Sequence, residues 1–353
     1  MRILMVLPRY FPVLGGVEEH VRNISERLAR QHEVTVFTTD PSGRLAREES
    51  INGVLVRRSR GFSPQNAYHI SIAMLQELKR SEFDIVHAHN YHAFPAFFSR
   101  YAGRERFIVT PHYHGHGSSL LRDYLLKLYK PLGKKIFQEA DRVIAVSKHE
   151  KALLMRDFTI NGDIAVIPNG IELAEFKAIK TADRKGAPGR TILYVGRLEE
   201  YKGIQYVVQA LPLLEDDVHL EIVGNGPYKK HIFSMVAKLG LEGRVRFYHD
   251  LSREDLLSRY AGADLFILLS RFEAFGITVG EALASGTPCI VANTSALSEW
   301  VDNRNCMGID YPINIDDLAG LIKQTIGHRV GEVQLWDWDR VAQETVKIYE
   351  EGM

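Results

Sequence analysis

The stretch Arg271–Gly286 reads RFEAFGITVGEALASG and carries two glutamates, Glu273 and Glu281, with seven residues between them. The residues before it, Ala263–Ser270 (ADLFILLS), form an almost continuous apolar run. Runs of this kind are typical of strands that are buried on both faces of a parallel sheet. The pattern therefore predicts a buried strand whose carboxyl end leads directly to the first glutamate.

A helix is predicted immediately after this strand. We expect it to begin near Gly276 and to end near Ser285-Gly286, shortly before a proline. Glu273 then precedes the helix and Glu281 lies inside it. The first backbone N–H groups of such a helix have no partner within the helix, so its start favours anions and hydroxyl-rich ligands.

The two glutamates do not have the spacing of a glycoside hydrolase pair. Eight steps of helical rise separate their backbones by roughly 12 Å. A retaining glycosidase needs about 5 Å between its two carboxyl groups. Two separate contacts along one extended ligand are the better interpretation.

The stretch resembles the glutamate signature of the retaining family 4 glycosyltransferases, which have the GT-B fold. The resemblance implies that Glu273 contacts the donor sugar and that Glu281 contacts the nucleotide ribose. It also implies donor contacts at the start of the helix, from Phe275, Gly276, Ile277 and Thr278.

Length and composition narrow the class of protein. The 353 residues are enough for two domains, and 45% hydrophobic and 25% charged residues are ordinary for a soluble globular protein. The formal net charge of zero gives no indication of a nucleic-acid partner. Two cysteines, with no apparent signal peptide or membrane-spanning run, favour a cytoplasmic protein with reduced thiols. Any membrane contact is then peripheral.

The chain begins with a predicted strand, a glycine-containing loop and a helix, the layout that often holds a phosphate. The loop, PRYFPVLGG, ends in Gly15 and Gly16, and no G-x-G-x-x-G motif is present, which argues against a NAD-dependent dehydrogenase. The resemblance implies that Gly15 and Gly16 lie over the donor diphosphate and the acceptor. A plain tight turn is the alternative.

Strands and helices then alternate, which predicts a parallel sheet with helices on both faces. Predicted strands include Glu33–Thr38, Phe83–Ala88, Arg106–Thr110 and Arg142–Val146. His112 follows one of them, at the edge where α/β proteins bind ligands. The resemblance places it close to the transferred sugar and favours it over His114 and His116; a polar loop histidine is the alternative.

Two groups of histidines, at 87, 89 and 92 and at 112, 114 and 116, suggest a metal site. No cysteine or carboxylate is placed to complete a ligand shell, so we predict none. Residues 118–140 combine leucines and aromatics with five basic residues, a pattern found in helices that rest on anionic membranes. A solvated helix face is the alternative, because Pro131 and Gly133 interrupt the periodicity.

The second half repeats the strand-loop-helix order. Its first loop, Gly196–Gly203, matches the G-R-x4-K-G pattern of the family, which implies that Arg197 and Lys202 contact the donor diphosphate. Such cations stabilise the charge that develops on a departing nucleoside diphosphate, so a metal is not required. A second glycine turn, which relatives use near the nucleotide, comprises Gly224, Asn225 and Gly226.

We therefore predict a GT-B α/β protein with two doubly wound Rossmann-like domains facing across a cleft. Its predicted parts are an acceptor-side domain at 1–171, a linker at 172–190, a nucleotide-sugar domain at 191–335, and a final helix at about 336–353 that packs back onto the first domain. The predicted function is retaining transfer of a hexose from a GDP- or UDP-sugar to a glycan, lipid-linked or small-molecule acceptor, without a cofactor. The alternatives are a nucleotide-sugar epimerase or hydrolase and a non-catalytic nucleotide-sugar sensor.

Overall fold

The first strand, β1 (Arg2–Val6), alternates its side chains between two apolar clusters. Ile3 and Met5 pack into one cluster, and Leu4 and Val6 pack into the other. Successive side chains of a strand point to opposite faces, so a run of apolar residues identifies a strand covered on both sides. The computed structural model describes residues 1–13, 15–64, 68–115, 120–178 and 189–351.

Contacts divide the chain into two units, Met1–Gly170 with Trp336–Met353, and Ile171–Leu335. The first unit is built on an eight-stranded sheet in the order β3-β4-β2-β1-β5-β6-β7-β8. Its further strands are β2 (Glu33–Thr39), β3 (Glu48–Ile51), β4 (Val54–Ser59), β5 (Glu82–His89), β6 (Gly103–Thr110), β7 (Arg142–Ala145) and β8 (Ile164–Val166). Its first helices are α1 (Gly16–Leu28), α2 (Ile72–Leu78), α3 (Phe94–Phe98), α4 (Leu120–Glu139) and α5 (Lys148–Asp157).

The second unit has a six-stranded parallel sheet in the order β11-β10-β9-β12-β13-β14. Its strands are β9 (Arg190–Val195), β10 (Val218–Val223), β11 (Val245–Tyr248), β12 (Leu265–Leu268), β13 (Cys289–Ala292) and β14 (Cys306–Ile309). Its helices are α6 (Leu173–Ala178), α7 (Ile204–Ala210), α8 (Lys229–Lys238), α9 (Arg253–Gly262), α10 (Ile277–Ala284) and α11 (Ile315–Thr325). Each unit is thus a Rossmann-like α/β domain, which confirms the predicted fold class.

Both sheets reverse their strand order next to their first strand. In the first unit the reversal lies between β1 and β5, and in the second unit it lies between β9 and β12. Ligands of open α/β sheets bind beyond the carboxyl ends of the strands at such a reversal. Each unit therefore has one edge position at which a site is expected.

The last helix, α12 (Trp338–Glu350), belongs to the first unit. Its apolar face, which includes Val341 and Tyr349, joins the cluster that also contains Ile3 and Met5. Packing is close at Gly170, where an added Cβ would lie 2.7 Å from the backbone nitrogen of Trp338. The core of the first unit is therefore made from both ends of the described chain.

Two details differ from the sequence expectations. The strand β3 was not predicted; it pairs antiparallel with β4 through the turn Asn52-Gly53, whose φ values are 48° and 84°. Helix α4 runs through Pro131 without interruption, and Gly133 within it packs against the ring of Tyr91 so closely that a Cβ would lie 1.9 Å from a ring carbon.

Among the described residues, no helix combines the length and the apolar character that a membrane span requires.

Candidate functional site

The loop after β9 carries both cations that the sequence analysis singled out. Tyr194 is buried in β9, and its hydroxyl donates to the carbonyl of Arg197 (2.9 Å), which fixes the start of the loop. The Arg197 side chain is 62% exposed and bonds Glu199. Lys202 ends a short 3₁₀ turn, Glu200–Lys202, and its side chain is only 15% exposed. One cation is thus open to a ligand, and the other is held inside the loop.

Glycines allow this loop to pack closely on its neighbours. Gly203 has φ 77° and begins α7; a Cβ there would lie 2.2 Å from the carbonyl oxygen of Leu269. Gly224, with φ 147°, follows β10, and a Cβ there would lie 2.0 Å from the carbonyl oxygen of Gly196. Side chains are excluded at both positions by backbone conformation and by space. The turn after β10 is therefore locked against the loop after β9.

Asn225 and Gly226, the other two residues of the predicted glycine turn, also pack against the loop after β9. The backbone N–H of Leu198 donates to the carbonyl of Asn225 (3.0 Å), and the N–H of Gly226 donates to the Asn225 side chain (2.9 Å). A Cβ at Gly226 would lie 2.3 Å from the carbonyl oxygen of Leu198. The structure thus brings Gly224, Asn225 and Gly226 beside the Arg197 loop.

Lys202 is bound directly to Glu273, 71 positions later in the chain. The two side chains are 15% and 16% exposed. Burial lowers the pKa of Lys202, but the Glu273 carboxylate more than offsets this and leaves the pKa above its ordinary value. The backbone N–H of Glu273 donates to the Ser295 side chain (3.1 Å), which anchors the backbone at this residue. The structure therefore brings these two predicted residues together as a charged pair.

Helix α10 begins as the sequence predicts. Gly276, with φ 94°, is its N-cap residue and offers no side-chain cap, and Ile277 and Thr278 form its first turn. The carbonyl of Phe275 accepts a hydrogen bond from the Trp300 indole (2.7 Å). The first turn thus has backbone donors that no side chain of the cap residue satisfies.

Glu281 lies inside α10 and belongs to a different group of contacts from Glu273. Its carboxylate accepts hydrogen bonds from Arg253 (2.6 Å) and from the buried Tyr260 hydroxyl (2.8 Å). Arg253 also bonds Glu175 (2.8 Å). These partners, which the sequence analysis missed, come from α9 and α6.

In the first unit, Gly15 and Gly16 form the start of α1. Gly15 is the N-cap residue and Gly16 the first residue of the helix. An added Cβ at Gly15 would lie 2.4 Å from a carboxylate oxygen of Glu18, which is itself bound to Arg9 (2.8 Å). Space at Gly16 is open, with no atom within 4 Å of an added Cβ. A side chain would therefore meet Glu18 at Gly15, whereas Gly16 has room for one.

His112 lies just beyond β6 with φ 50° and is 8% exposed. Burial, together with the nearby ring of His20, holds the pKa of His112 well below its ordinary value. The next residue is anchored, because the Tyr113 backbone N–H donates to the buried carboxylate of Glu150. His112 is therefore a neutral imidazole on a fixed loop.

His20 and His89 complete a buried histidine cluster with His112. Their ring centroids are 5.5 Å apart for His20 and His89, 4.8 Å for His20 and His112, and 5.9 Å for His89 and His112. The sequence analysis did not single out His20. Its position three residues after Val17 and four before Ile24 places it on the apolar face of α1, a signal that helical spacing contains.

The other loop histidines lie elsewhere. His114 contacts His92, with ring centroids 5.0 Å apart. His116 lies outside the described residues, as does most of the predicted linker. The structure thus gathers one histidine of the 112–116 group with His89 and His20.

Family models match nearly the whole chain. The model of Glycosyltransferase Family 4 matches residues 14–175, and the model of Glycosyl transferases group 1 matches residues 176–329. The chain belongs to this glycosyltransferase family.

Among curated proteins, the chain is similar to an uncharacterized glycosyltransferase of Methanocaldococcus jannaschii, with 28% identity over 389 residues and with 100% of this chain and 99% of the relative covered. Among solved structures, sucrose-phosphate synthase from Thermosynechococcus elongatus has a TM-score of 0.83 and 23% identity, with 99% and 98% of the two chains covered. Anabaena HepE in complex with UDP-glucose has a TM-score of 0.80 and 19% identity, with 99% and 100% covered. At these identities the two structures show the fold, which is GT-B.

Proposed function

We propose that this glycosyltransferase moves a hexose from a GDP- or UDP-linked donor to a glycan, lipid-linked or small-molecule acceptor, with retention of anomeric configuration. The observation that carries the proposal is the charged pair of Lys202 and Glu273, next to Arg197 and at the strand reversal of the second sheet. A cation and an acid side by side match the two halves of a nucleotide-sugar, the diphosphate and the hydroxyl-rich sugar.

Charge development explains why two cations are needed. When the bond between the anomeric carbon and the diphosphate oxygen breaks, negative charge grows on the leaving diphosphate. Arg197 offers a planar fork of donors, and Lys202 offers a compact positive charge with a raised pKa that keeps it protonated. Preorganised donors of this kind stabilise the transition state more than the ground state.

The acid beside Lys202 has a different task. Glu273 is held by its backbone and by Lys202, so its carboxylate is positioned to accept hydrogen bonds from sugar hydroxyls. Retention then follows if the acceptor hydroxyl attacks the face from which the diphosphate leaves and gives its proton to that diphosphate. This route requires no protein nucleophile.

The remaining donor contacts are proposed from the family resemblance. Glu281 is assigned to the ribose, and the start of α10 and the turn at 224–226 are assigned to the nucleotide. In the first unit, we propose that His112, Gly15 and Gly16 act near the sugar and the diphosphate. The epimerase or hydrolase alternative requires a positioned base, and the sensor alternative predicts that Glu273 is dispensable.

Donor binding tests the proposal directly. We expect GDP-mannose, UDP-glucose or UDP-N-acetylglucosamine to raise the melting temperature of the chain, because a ligand that binds only the folded state stabilises it by about 2.7 kcal/mol at 100 times Kd. Lys202→Ala should lose most of this shift, whereas Lys238→Ala, at an exposed position of α8, should retain it. If none of a full set of nucleotide-sugars shifts the melting temperature, the proposal is wrong.

Metal independence is a second expected result. Because Arg197 and Lys202 supply the positive charge, we expect EDTA treatment not to reduce the rate of transfer. Product formation with and without EDTA is the measurement. Loss of product that added Mg²⁺ or Mn²⁺ restores would show that the cations do not suffice.

Helix α4 supports peripheral contact with an anionic membrane. It exposes Tyr124 (60%) and Leu128 (59%) near the exposed cations Lys127, Lys134 and Lys135. We expect the chain to float with phosphatidylglycerol vesicles at low salt and to dissociate as salt rises. The variant Lys127→Glu/Lys135→Glu should float less. Absence of flotation at low salt would favour an acceptor in solution.

A further inference from the structure

Three histidines meet at the strand reversal of the first sheet. His20 comes from α1, His89 is the last residue of β5, and His112 follows β6. Their exposures are 2%, 0% and 8%. One ligand nitrogen from each lies within 4.8 Å of the other two. Parallel strands end at one edge of a sheet, which is why residues from such distant parts of the chain converge here.

The cluster contains ring nitrogens that have no partner. Neither ring nitrogen of His89 has a hydrogen-bond partner among the described residues, and the same holds for Nε2 of His112. A buried polar atom without a hydrogen-bond partner destabilises the folded state. Groups of this kind in native proteins indicate a bound water or ion that satisfies them.

A hydrogen bond to Asn169 determines which ring nitrogen of His20 can bind a metal. Nδ1 of His20 lies 2.6 Å from Oδ1 of Asn169. The amide oxygen can only accept, so Nδ1 carries the proton and Nε2 keeps its lone pair. Histidines that bind metals are oriented in this way by a partner on the other ring nitrogen. Asn169 therefore acts as such a partner for His20.

The neighbouring ring of His87 shows that a buried histidine does not necessarily have nitrogens without hydrogen-bond partners. His87 stacks on His89, with ring centroids 4.0 Å apart. Both of its nitrogens are bonded, Nδ1 to the Tyr349 hydroxyl (2.7 Å) and Nε2 to the Thr110 hydroxyl (2.8 Å). His87 is thus a satisfied core residue, whereas the ring of His89 beside it has no hydrogen-bond partner among the described residues.

The spacing fits a tetrahedral metal ion. With Zn–N distances of about 2.0–2.1 Å, ring centroids of imidazoles on one Zn²⁺ lie roughly 5 Å apart. The three centroid distances here are 5.5, 4.8 and 5.9 Å. In a tetrahedron the nitrogens lie roughly 3.3 Å apart, so the rings, whose nitrogens lie within 4.8 Å of one another here, must rotate towards a bound ion.

The chemistry of the ligands selects the ion. All three candidate ligands are imidazoles of buried side chains, and no carboxylate among the described residues belongs to the cluster. Neutral imidazole suits Zn²⁺ and neighbouring transition metals, whereas Mg²⁺ and Ca²⁺ prefer oxygen ligands. Three histidines and one open position form a known type of zinc site.

We propose that His20, His89 and His112 form a Zn²⁺ site with three imidazole ligands and a fourth position open to water. The three histidines all belong to the first unit, and the proposed transfer does not require a metal ion there. Occupancy takes up Nε2 of His112. On the proposed function, Zn²⁺ therefore inhibits transfer, and a chelator relieves the inhibition.

Zinc binding is measured on the full chain without any nucleotide-sugar, so the result does not depend on the proposed function. The chelator-treated chain is titrated with Zn²⁺ against a chromophoric chelator, and Co²⁺ is added separately to record the visible spectrum of a tetrahedral site. We expect one Zn²⁺ per chain at micromolar concentration. His20→Gln and His89→Gln should each weaken binding at least about 100-fold, and Asn169→Ala about 10–100-fold.

Two matched controls separate this site from incidental histidine binding. His87→Gln alters a buried ring of the same sheet edge, and His231→Gln alters an exposed ring of α8. Both should bind Zn²⁺ as the unaltered chain does. If a histidine variant does not fold, Asn169→Ala provides the decisive comparison. The proposal is overturned if the unaltered chain binds no Zn²⁺ at micromolar concentration, or if His20→Gln, His89→Gln and Asn169→Ala bind it unchanged.

Discussion

Replacing Lys202 by alanine is expected to lower kcat for hexose transfer by about 10²–10³-fold. This is the usual effect of removing one preorganised donor from a developing negative charge. Lys202 is buried beside Glu273, so solvent cannot supply an equivalent cation. Lys202→Arg keeps a positive charge and should retain more activity, although its planar group does not reproduce the ammonium geometry.

Steady-state kinetics with a saturating donor separate this effect from weaker binding. Lys238→Ala, at an exposed position, is the control and should match the unaltered chain. Removal of Lys202 also leaves Glu273 without its partner, so circular dichroism must show that the variant is folded. A folded Lys202→Ala variant with unaltered kcat would remove Lys202 from the leaving-group assignment.

Acid is expected to destabilise the first unit steeply below about pH 6.5. His20, His87, His89, His92 and His112 all lie in the first unit and have pKa values lowered chiefly by burial. On unfolding, each regains an ordinary pKa near 6.5 and takes up a proton. Their contribution to stability is therefore complete above pH 6.5 and is lost as the pH falls, to about pH 4 for His20. Each ring reduces the free energy of unfolding by about 1.4 kcal/mol per pH unit.

The buried Glu150 has the opposite effect on how the free energy of unfolding changes with pH. Burial raises the pKa of Glu150 to about 8, although the backbone N–H groups of Val146 and Tyr113 lower it in part. A raised carboxyl pKa stabilises the folded state at low pH, and this stabilisation is lost as the pH rises towards 8. This one carboxyl opposes the five imidazoles, so the histidines determine how the free energy of unfolding changes below pH 6.5.

Urea unfolding between pH 4.5 and 7.5 measures this slope. Two of the three tryptophans, Trp336 and Trp338, belong to the first unit, so indole fluorescence reports mainly on it. His89→Gln should reduce the number of protons taken up on unfolding by about one, and with it the pH dependence of the free energy of unfolding. His231→Gln, at an exposed position, should leave this pH dependence unaltered. If the urea concentration at the midpoint of unfolding is the same at pH 7 and at pH 5, the buried histidines are not neutral in the folded state.

The regular parts of the fold were predictable because burial on both faces leaves a clear apolar pattern. The predicted strand Glu33–Thr38 corresponds to β2, and the predicted Arg142–Val146 corresponds to β7. Strand β3 was missed because its sequence, EESI, is half exposed and mostly polar. The turn Asn52-Gly53 after it is a recognised hairpin signal that would have located it.

The site was predictable only in part. Lys202 and Glu273 were expected to share a ligand because of a family resemblance, and the structure places them in contact because β9 and β12 are neighbours. Their chemical roles remain predictions. The order of strands is not contained in any local pattern, and for this reason His20 was not connected with His89 and His112. The partners of Glu281 were missed for the same reason.

Completion of the first core by α12 has a consequence for biosynthesis. The buried face of α12, with Trp338, Val341 and Tyr349, is translated after every residue of the second unit. The second unit is continuous in sequence and can assemble while the ribosome is still working. The first unit must wait, with the apolar surface around Ile3 and Met5 uncovered, until α12 has emerged from the ribosome.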